Sequence, residues 1–299
     1  MQIQRSLNTD IPSRISELQA MMKEFILKHK LYRILLRGKG LEFETFRTYA
    51  PDDDASTIDW KASKRANNLL VKQYRDERNL KIIFIVDVGE NMIFGSSEKL
   101  KCEYSAEVVA SFSHLIITTG DRVGSIIFSD KIKHYLGPAG GTRKFYQFVD
   151  ILTDPETYGG ASRLSNGLEF ALSYLNKNID SVVIVSDFTE FDESLVKPLT
   201  IISERFETLV LAINDPLDKS LPLFSGEIAI QDPRTGEQML IDPRVAKATY
   251  ERIAAEKEAL LKSTCSKHNI DYLPLMTNVP FVPTLAEFLK ARIKKEETR

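Results

Sequence analysis

From residue 81 onward, short unbroken runs of apolar residues alternate with amphipathic helical segments. The runs include KIIFIVD, DRVGSIIFS, DSVVIVSD and FETLVLAIN, and the intervening segments carry apolar residues at helical spacing. A strand that is apolar on both faces must be covered on both faces, as happens in a parallel sheet with helices on either side. The pattern therefore predicts a doubly wound α/β domain with a mostly parallel sheet.

The N-terminal part of the chain follows a different pattern. Residues 12–36 predict an amphipathic helix, residues 41–49 predict a strand, and a second short strand follows a polar loop. This part has too little regular apolar surface for an independent core. We therefore expect residues 1–79 to form a helix and a small β extension that pack on a main domain of residues 80–299. A hairpin insertion is predicted near residues 226–242.

Composition and charge narrow the class of protein. Hydrophobic residues make up 43% and charged residues 27%, and the formal net charge of −2 gives no reason to expect nucleic acid as a partner. No apolar run approaches the roughly 20 residues of a membrane helix. Cys102 and Cys265 show no metal or redox spacing. We expect a cytoplasmic protein with buried free thiols and no membrane partner.

Two of the predicted strands end on an aspartate. Asp87 follows the run Ile82–Val86, and Asp187 follows SVVIVS. In open α/β sheets the functional crevice lies beyond the carboxyl ends of the strands, so these carboxylates could meet there with the hydroxyl of Ser162. Such oxygen ligands suit Mg²⁺. The same aspartates could instead cap neighbouring helix N-termini, and their spacing does not separate the two interpretations.

Motifs for catalysis are weak. The sequence has no P-loop, and its four histidines share no motif with a serine or cysteine nucleophile, so a hydrolase of the Ser-His-Asp type is poorly supported. An alternative is a Mg²⁺-dependent hydrolase that uses Asp87 and Asp187, which would need a base or nucleophile near the metal.

A charged segment, DDDASTIDWKASKRANNLLVKQYRDE, surrounds the single tryptophan of the chain. It is either a solvated loop or a set of ion pairs that docks on the α/β domain or on a partner. A lone tryptophan amid charges usually packs against something, which favours docking. The candidate contact residues are Asp59, Trp60, Lys61 and Arg65.

The same segment lies within a longer stretch that resembles a known family. Residues 38–92, from GKGLEF to DVGENM, resemble the signature of the domain of unknown function 58 family. The matching positions are Gly38, Gly40, Glu42, Phe43, Arg47, Tyr49, Ile58 to Ser63, Arg65 and Asp87. The resemblance implies a von Willebrand factor A-like fold from about residue 80. Such domains often carry a metal-ion-dependent adhesion site, built from an Asp-x-Ser-x-Ser strand end, a threonine and a later aspartate.

Transferred to this sequence, the resemblance implies an incomplete metal site. Asp87 stands at the first aspartate, Gly89 and Asn91 at the two serines, Ser162 at the threonine, and Asp187 at the later aspartate. Gly89 has no side-chain ligand, whereas Asn91 offers an amide oxygen. The implied site is therefore degenerate, and Mg²⁺ is expected to bind weakly or only together with a partner.

The resemblance also implies a function. Von Willebrand factor A-like domains bind partners rather than turn over substrates, and the family is similar to the companions of MoxR-type AAA+ ATPases. The expected function is that of a non-enzymatic interaction or adaptor module that acts with such an ATPase in assembling or activating protein complexes. Because the chain has no ATP-binding motif, the partner would supply the energy.

Overall fold

The computed structural model describes residues 7–28, 43–50, 58–74, 79–222, 226, 228–231 and 238–297. The helices are α1 (Ile11–Lys28), α2 (Trp60–Ala66), α3 (Lys101–Thr118), α4 (Thr142–Thr153), α5 (Leu164–Tyr174), α6 (Glu193–Arg205), α7 (Pro216–Lys219), α8 (Pro243–Lys267) and α9 (Phe281–Glu297). The strands are β1 (Phe43–Thr48), β2 (Leu70–Tyr74), β3 (Lys81–Asp87), β4 (Arg122–Phe128), β5 (Ile132–Ala139), β6 (Ser181–Ser186), β7 (Glu207–Asn214), β8 (Ile228–Gln231), β9 (Gln238–Ile241) and β10 (Asp271–Met276).

Six strands form the central sheet, in the order β10-β7-β6-β3-β4-β5. Every neighbouring pair is parallel except β4 and β5, where the partly exposed edge strand β5 runs antiparallel. The doubly wound, mostly parallel sheet predicted from the apolar runs is confirmed. Outside this sheet, β1 pairs with β2 and β8 pairs with β9, both antiparallel. The second pair lies within residues 226–242, where a hairpin is predicted, and residues 232–237 between its strands lie outside the described residues.

The two faces of the sheet carry separate parts of the apolar core. Ile82, Phe84 and Val86 of β3 point into a cluster that α1, α3 and α9 cover, whereas Ile83 and Ile85 point into a cluster that α5 and α6 cover. This alternation follows from the two-residue period of a strand. Because both faces are covered, the strands need apolar residues at nearly every position, which is the pattern seen in the sequence.

Helix α1 is part of the main core. Leu18 and Met22 are fully buried in the cluster that contains α3 and α9. Just before the helix, the backbone N–H of Asn8 donates to Glu103 Oε1 of α3 at 2.7 Å. The helix predicted over residues 12–36 begins as expected, and residues 29–36 lie outside the described residues. In the part of the chain that the structure describes, no helix combines the length and apolarity needed to cross a bilayer.

The position of Leu18 generates a stability prediction. We expect Leu18→Ala to lower the free energy of unfolding by about 2–5 kcal/mol, because it removes a fully buried side chain and leaves a cavity. Ser16→Ala on the exposed side of the same helix is the control and should change stability by less than about 0.5 kcal/mol. Urea unfolding of the full chain measures both values. Equal stabilities for the two variants would show that α1 does not hold the core.

Candidate functional site at the carboxyl edge of the sheet

The parallel register of β3 and β6 brings the two strand-end aspartates to one edge of the sheet. Val86 lies opposite Val185, so Asp87 and the residues that follow β6 emerge side by side. Both carboxylates are buried, with Asp87 1% and Asp187 4% exposed. The hydroxyl of Ser162 reaches the same place from the loop before α5, and the structure thereby brings together three of the four residues expected at a metal site.

Three protein donors surround the Asp87 carboxylate. The backbone N–H of Gly89 donates to Oδ1 at 2.9 Å, and the Ser186 hydroxyl donates to Oδ2 at 2.9 Å. The Ser162 hydroxyl lies 3.0 Å from Oδ1 and 3.2 Å from Oδ2. These bonds hold the carboxylate in a fixed orientation and satisfy its oxygens without a cation.

Gly89 permits the close approach that places Ser162 on Asp87. A Cβ atom at residue 89 would lie 2.2 Å from Ser162 Oγ and 2.6 Å from Ser162 Cα. The two loops are also joined by backbone hydrogen bonds of 2.8 Å, from Glu90 N to Gly160 O and from Gly159 N to Val88 O. The serine of the adhesion-site pattern is therefore missing from a position where this backbone has no room for it.

The Asp187 carboxylate has a cation of its own. Its Oδ2 accepts a 2.7 Å hydrogen bond from the ammonium of Lys101, and its Oδ1 accepts from the backbone N–H and the hydroxyl of Thr189 at 3.1 and 3.0 Å. The same ammonium lies 3.0 and 3.2 Å from the two carboxylate oxygens of Asp218 in α7. The Lys101 side chain is 2% exposed, so this ion pair network is shielded from water.

Asn91 takes a different place from the one the pattern implies. Its amide Nδ2 donates to Thr189 Oγ1 at 3.2 Å, and that hydroxyl in turn donates to Asp187. Asn91 therefore supports the group that binds Asp187, and its amide nitrogen is the atom that faces the cluster.

The environment raises the pKa of both Asp87 and Lys101, for different reasons. Burial, together with the nearby charge of Asp187, raises the pKa of Asp87 from 3.8 to about 7, and the hydrogen bonds from Gly89 and the two serines oppose this rise. Burial tends to lower the pKa of Lys101, but the adjacent carboxylates of Asp187 and Asp218 outweigh it and raise this pKa above its ordinary value. Lys101 is therefore held in its charged form.

These residues do not fit a Mg²⁺ shell. An ion bound to Asp87 and Asp187 would lie beside the Lys101 ammonium, which already binds Oδ2 of Asp187, while Oδ1 accepts from Thr189. Among the described residues, no group of three or more histidine, cysteine or acidic side chains is arranged to hold a metal ion. The set Asp87, Asn91, Ser162 and Asp187 is better described as a hydrogen-bonded cluster completed by a lysine.

Lys101, Ser186 and Asp218 are the site residues that sequence reasoning missed. Ser186 immediately precedes Asp187, so the sequence already places it at the end of the same predicted strand. Lys101 lies 86 residues from Asp187 and 117 from Asp218, and no local pattern links them. A signal did exist, since Lys101 opens α3 at the helix end where the macrodipole disfavours a cation.

The candidate contact residues of the charged segment lie together on α2. Asp59 caps this helix, with its Oδ1 accepting from the backbone N–H groups of Lys61 and Ala62 at 3.0 and 2.9 Å. Arg65 Nε donates to the carbonyl of Lys61 at 3.3 Å. The Trp60 side chain is 67% exposed, which corrects the expectation that it packs against the α/β domain. A role for this surface in binding a partner stays a prediction.

The contact between Gly89 and Ser162 generates the first prediction for the site. We expect Gly89→Ser, which restores the serine of the adhesion-site pattern, to cost about 1–3 kcal/mol of unfolding free energy because its Cβ overlaps Ser162. Gly137→Ser on β5 is the control, since a Cβ there meets no atom within 4 Å. Denaturant titration compares them. A Gly89→Ser protein as stable as its control would contradict the packing described.

The raised pKa of Asp87 generates a pH prediction. Because the folded protein binds this proton more tightly than the unfolded chain, the resulting stability is complete below pH 3.8 and is lost as the pH rises through about 7. Over that window the loss amounts to at most about 4 kcal/mol. Asp87→Asn, which mimics the protonated form, should lack this component when unfolding is measured from pH 5 to 8. If the unfolding free energies of the wild-type and Asp87→Asn proteins changed with pH in parallel, the raised pKa of Asp87 would be contradicted.

Comparison with known proteins identifies the family. The profile of the family described as Protein of unknown function DUF58 matches residues 45–260. The uncharacterized proteins Rv1480 of Mycobacterium tuberculosis and Mb1516 of Mycobacterium bovis are each 26% identical to this chain over 262 residues, which cover 86% of this chain and 81% of the relative.

Several solved structures align with much of this chain at low sequence identity. BatB from Bacteroides thetaiotaomicron aligns with a TM-score of 0.48 and 12% identity, covering 74% of this chain and 100% of that one. An aerotolerance-related membrane protein from Bacteroides fragilis aligns with a TM-score of 0.47 and 13% identity, over 72% and 99% of the two chains. The SpRpn10 VWA domain aligns with a TM-score of 0.40 and 11% identity, over 72% and 95%.

The family match, from residue 45 to residue 260, spans well over half of the 299 residues and includes the charged segment, β3 and the strand-end site. The resemblance predicted from the signature is confirmed, and the chain belongs to the family described as Protein of unknown function DUF58.

Proposed function

We propose that this chain is a non-catalytic protein-interaction module that binds a MoxR-type AAA+ ATPase and acts with it in the assembly or activation of other protein complexes. Membership of the family supports the proposal, because the resemblance found in the sequence implies that its members are similar to the companions of such ATPases. The observation that carries it is the carboxyl edge of the sheet, where a closed polar cluster is bordered by exposed apolar side chains.

These apolar side chains form a defined surface, the α3 rim, which consists of Ile93, Phe94 and Val279. They are 46%, 41% and 47% exposed. The carbonyl of Phe94 accepts from Lys101 N at 2.8 Å, and the carbonyl of Val279 accepts from the hydroxyl of Tyr104 at 2.9 Å, so both segments are held on the first turn of α3. Exposed apolar side chains that border a polar cluster suit a protein partner.

The buried state of the two aspartates favours binding over catalysis. A Mg²⁺-dependent hydrolase that uses Asp87 and Asp187 would need an open metal position with a bound water between them. Here both carboxylates are at most 4% exposed, and their oxygens accept hydrogen bonds from protein groups. This arrangement supports the proposed non-enzymatic function over the alternative of a Mg²⁺-dependent hydrolase.

The proposal includes a second contact surface for the partner, on α2. Trp60, Lys61 and Arg65 expose an aromatic ring and two cations on α2, a combination suited to an acidic partner surface.

We place the complex in the cytoplasm, where Cys102 and Cys265, both buried and unpaired, would remain reduced.

A direct binding measurement tests the proposal. The full chain is titrated with a MoxR-type AAA+ ATPase from the same genome, with ATP, with ADP and without nucleotide, and the complex is detected by sedimentation velocity. We expect a complex in at least one nucleotide state. Absence of binding in all three states would overturn the proposed partner.

Variants of the α3 rim test the proposed surface. Ile93→Asp should weaken this complex at least tenfold, because a charge at the interface must be desolvated without a counterion. Tyr146→Asp on α4 is the matched control, since Tyr146 is 60% exposed and lies on a helix that follows the edge strand β5. Equal affinities for the two variants would place the interface elsewhere on the chain.

A further inference from the structure

The ammonium of Lys101 is a buried cation at the place where the strand-end carboxylates meet. It donates to one oxygen of Asp187 at 2.7 Å and approaches both oxygens of Asp218 at 3.0 and 3.2 Å. An ammonium group has three protons, and three carboxylate oxygens surround this one. The Lys101 side chain therefore has its full set of hydrogen-bond partners inside the protein.

The position of Lys101 is costly for a lysine, so its neighbours must compensate for that cost. It opens α3, where the positive end of the helix dipole repels a cation. Two carboxylates and the ring of Phe94, 5.6 Å from the ammonium, offset that repulsion and the loss of hydration. The lysine is consequently bound to the carboxylates and would lose all of these partners if it turned outward.

A divalent cation would compete for the same oxygens. To bind Asp187 it would have to expel the ammonium or lie beside it, and two cations in contact inside a protein repel strongly. The other half of the site offers little compensation, because the Asp87 oxygens already accept bonds from Gly89, Ser162 and Ser186. Both halves of the site are thus complete without a metal.

We propose that Lys101 is the resident cation of the strand-end carboxylate site, so that the chain assembles its carboxyl edge without a metal ion. This inference concerns the site alone and does not depend on the identity of the partner. The site would then offer no open coordination position to a partner's carboxylate, and binding at this edge would be insensitive to chelators.

Removal of the lysine tests the inference. In Lys101→Met, Asp187 and Asp218 face each other without a counterion, so the melting temperature should fall and millimolar Mn²⁺ should restore part of the loss. The wild-type protein should show neither Mn²⁺ stabilisation nor stoichiometric binding when free Mn²⁺ is followed by electron paramagnetic resonance. Lys99→Met is the matched control, because Lys99, which lies just before α3, pairs with Glu107 of that helix and lies outside the carboxylate site. It should be destabilised without rescue by Mn²⁺.

A charge-balanced variant keeps the test decisive if Lys101→Met does not fold. Lys101→Met combined with Asp187→Asn removes one charge of each sign, and it should be folded and more stable than Lys101→Met alone. Stoichiometric Mn²⁺ binding by the wild-type chain would overturn the inference. Equal rescue of the Lys101→Met and Lys99→Met proteins by Mn²⁺ would also overturn it. So would a Lys101→Met/Asp187→Asn protein that is less stable than Lys101→Met alone.

Discussion

The ammonium of Lys101 joins three elements that lie far apart in the sequence. It begins α3, binds Asp187 directly after β6, and binds Asp218 in α7 after β7. Breaking a buried pair by removal of one partner typically costs about 3–5 kcal/mol, because the remaining charge is left without compensation. The arrangement of the loops at the carboxyl edge therefore depends on this interaction, and so does the chemistry that the edge can support.

The second constraint on the site is the close approach of two loops. Gly89 allows the backbone after β3 to lie against the loop before α5, and Ser162 then donates to Asp87. In a metal-binding arrangement, hydroxyls and carboxylates at a strand end would leave lone pairs for the ion. Here a glycine, a hydroxyl donor and a lysine together satisfy the same carboxylates with groups of the protein. The glycine at position 89 and the lysine at position 101 are thus two parts of one arrangement.

Much of the fold could be predicted because its signals are local. The apolar run Ile82–Val86 predicts a strand covered on both faces, and the aspartates at the carboxyl ends of β3 and β6 directly follow the residues of such strands. Lys101 could not be assigned in this way, since its partners lie 86 and 117 residues away and nothing in a sequence states which side chains a parallel sheet brings together. For Trp60 a prediction was made and was wrong. The general tendency of tryptophans to pack against other residues does not show whether a particular tryptophan has a neighbouring surface to pack on, and this side chain is 67% exposed.

The charge and accessibility of Lys101 are the properties that most directly show whether this lysine is the cation of the strand-end site. Nuclear magnetic resonance of the side-chain ¹⁵N of lysine detects an ammonium only when its protons exchange slowly with water, as they do in a buried ion pair. We expect a slowly exchanging Lys101 ammonium signal that keeps its chemical shift when Mg²⁺ is added and disappears in Lys101→Met. A Lys101 signal that Mg²⁺ displaces, or one that exchanges as fast as those of exposed lysines, would contradict the claim that the lysine is the cation of this site.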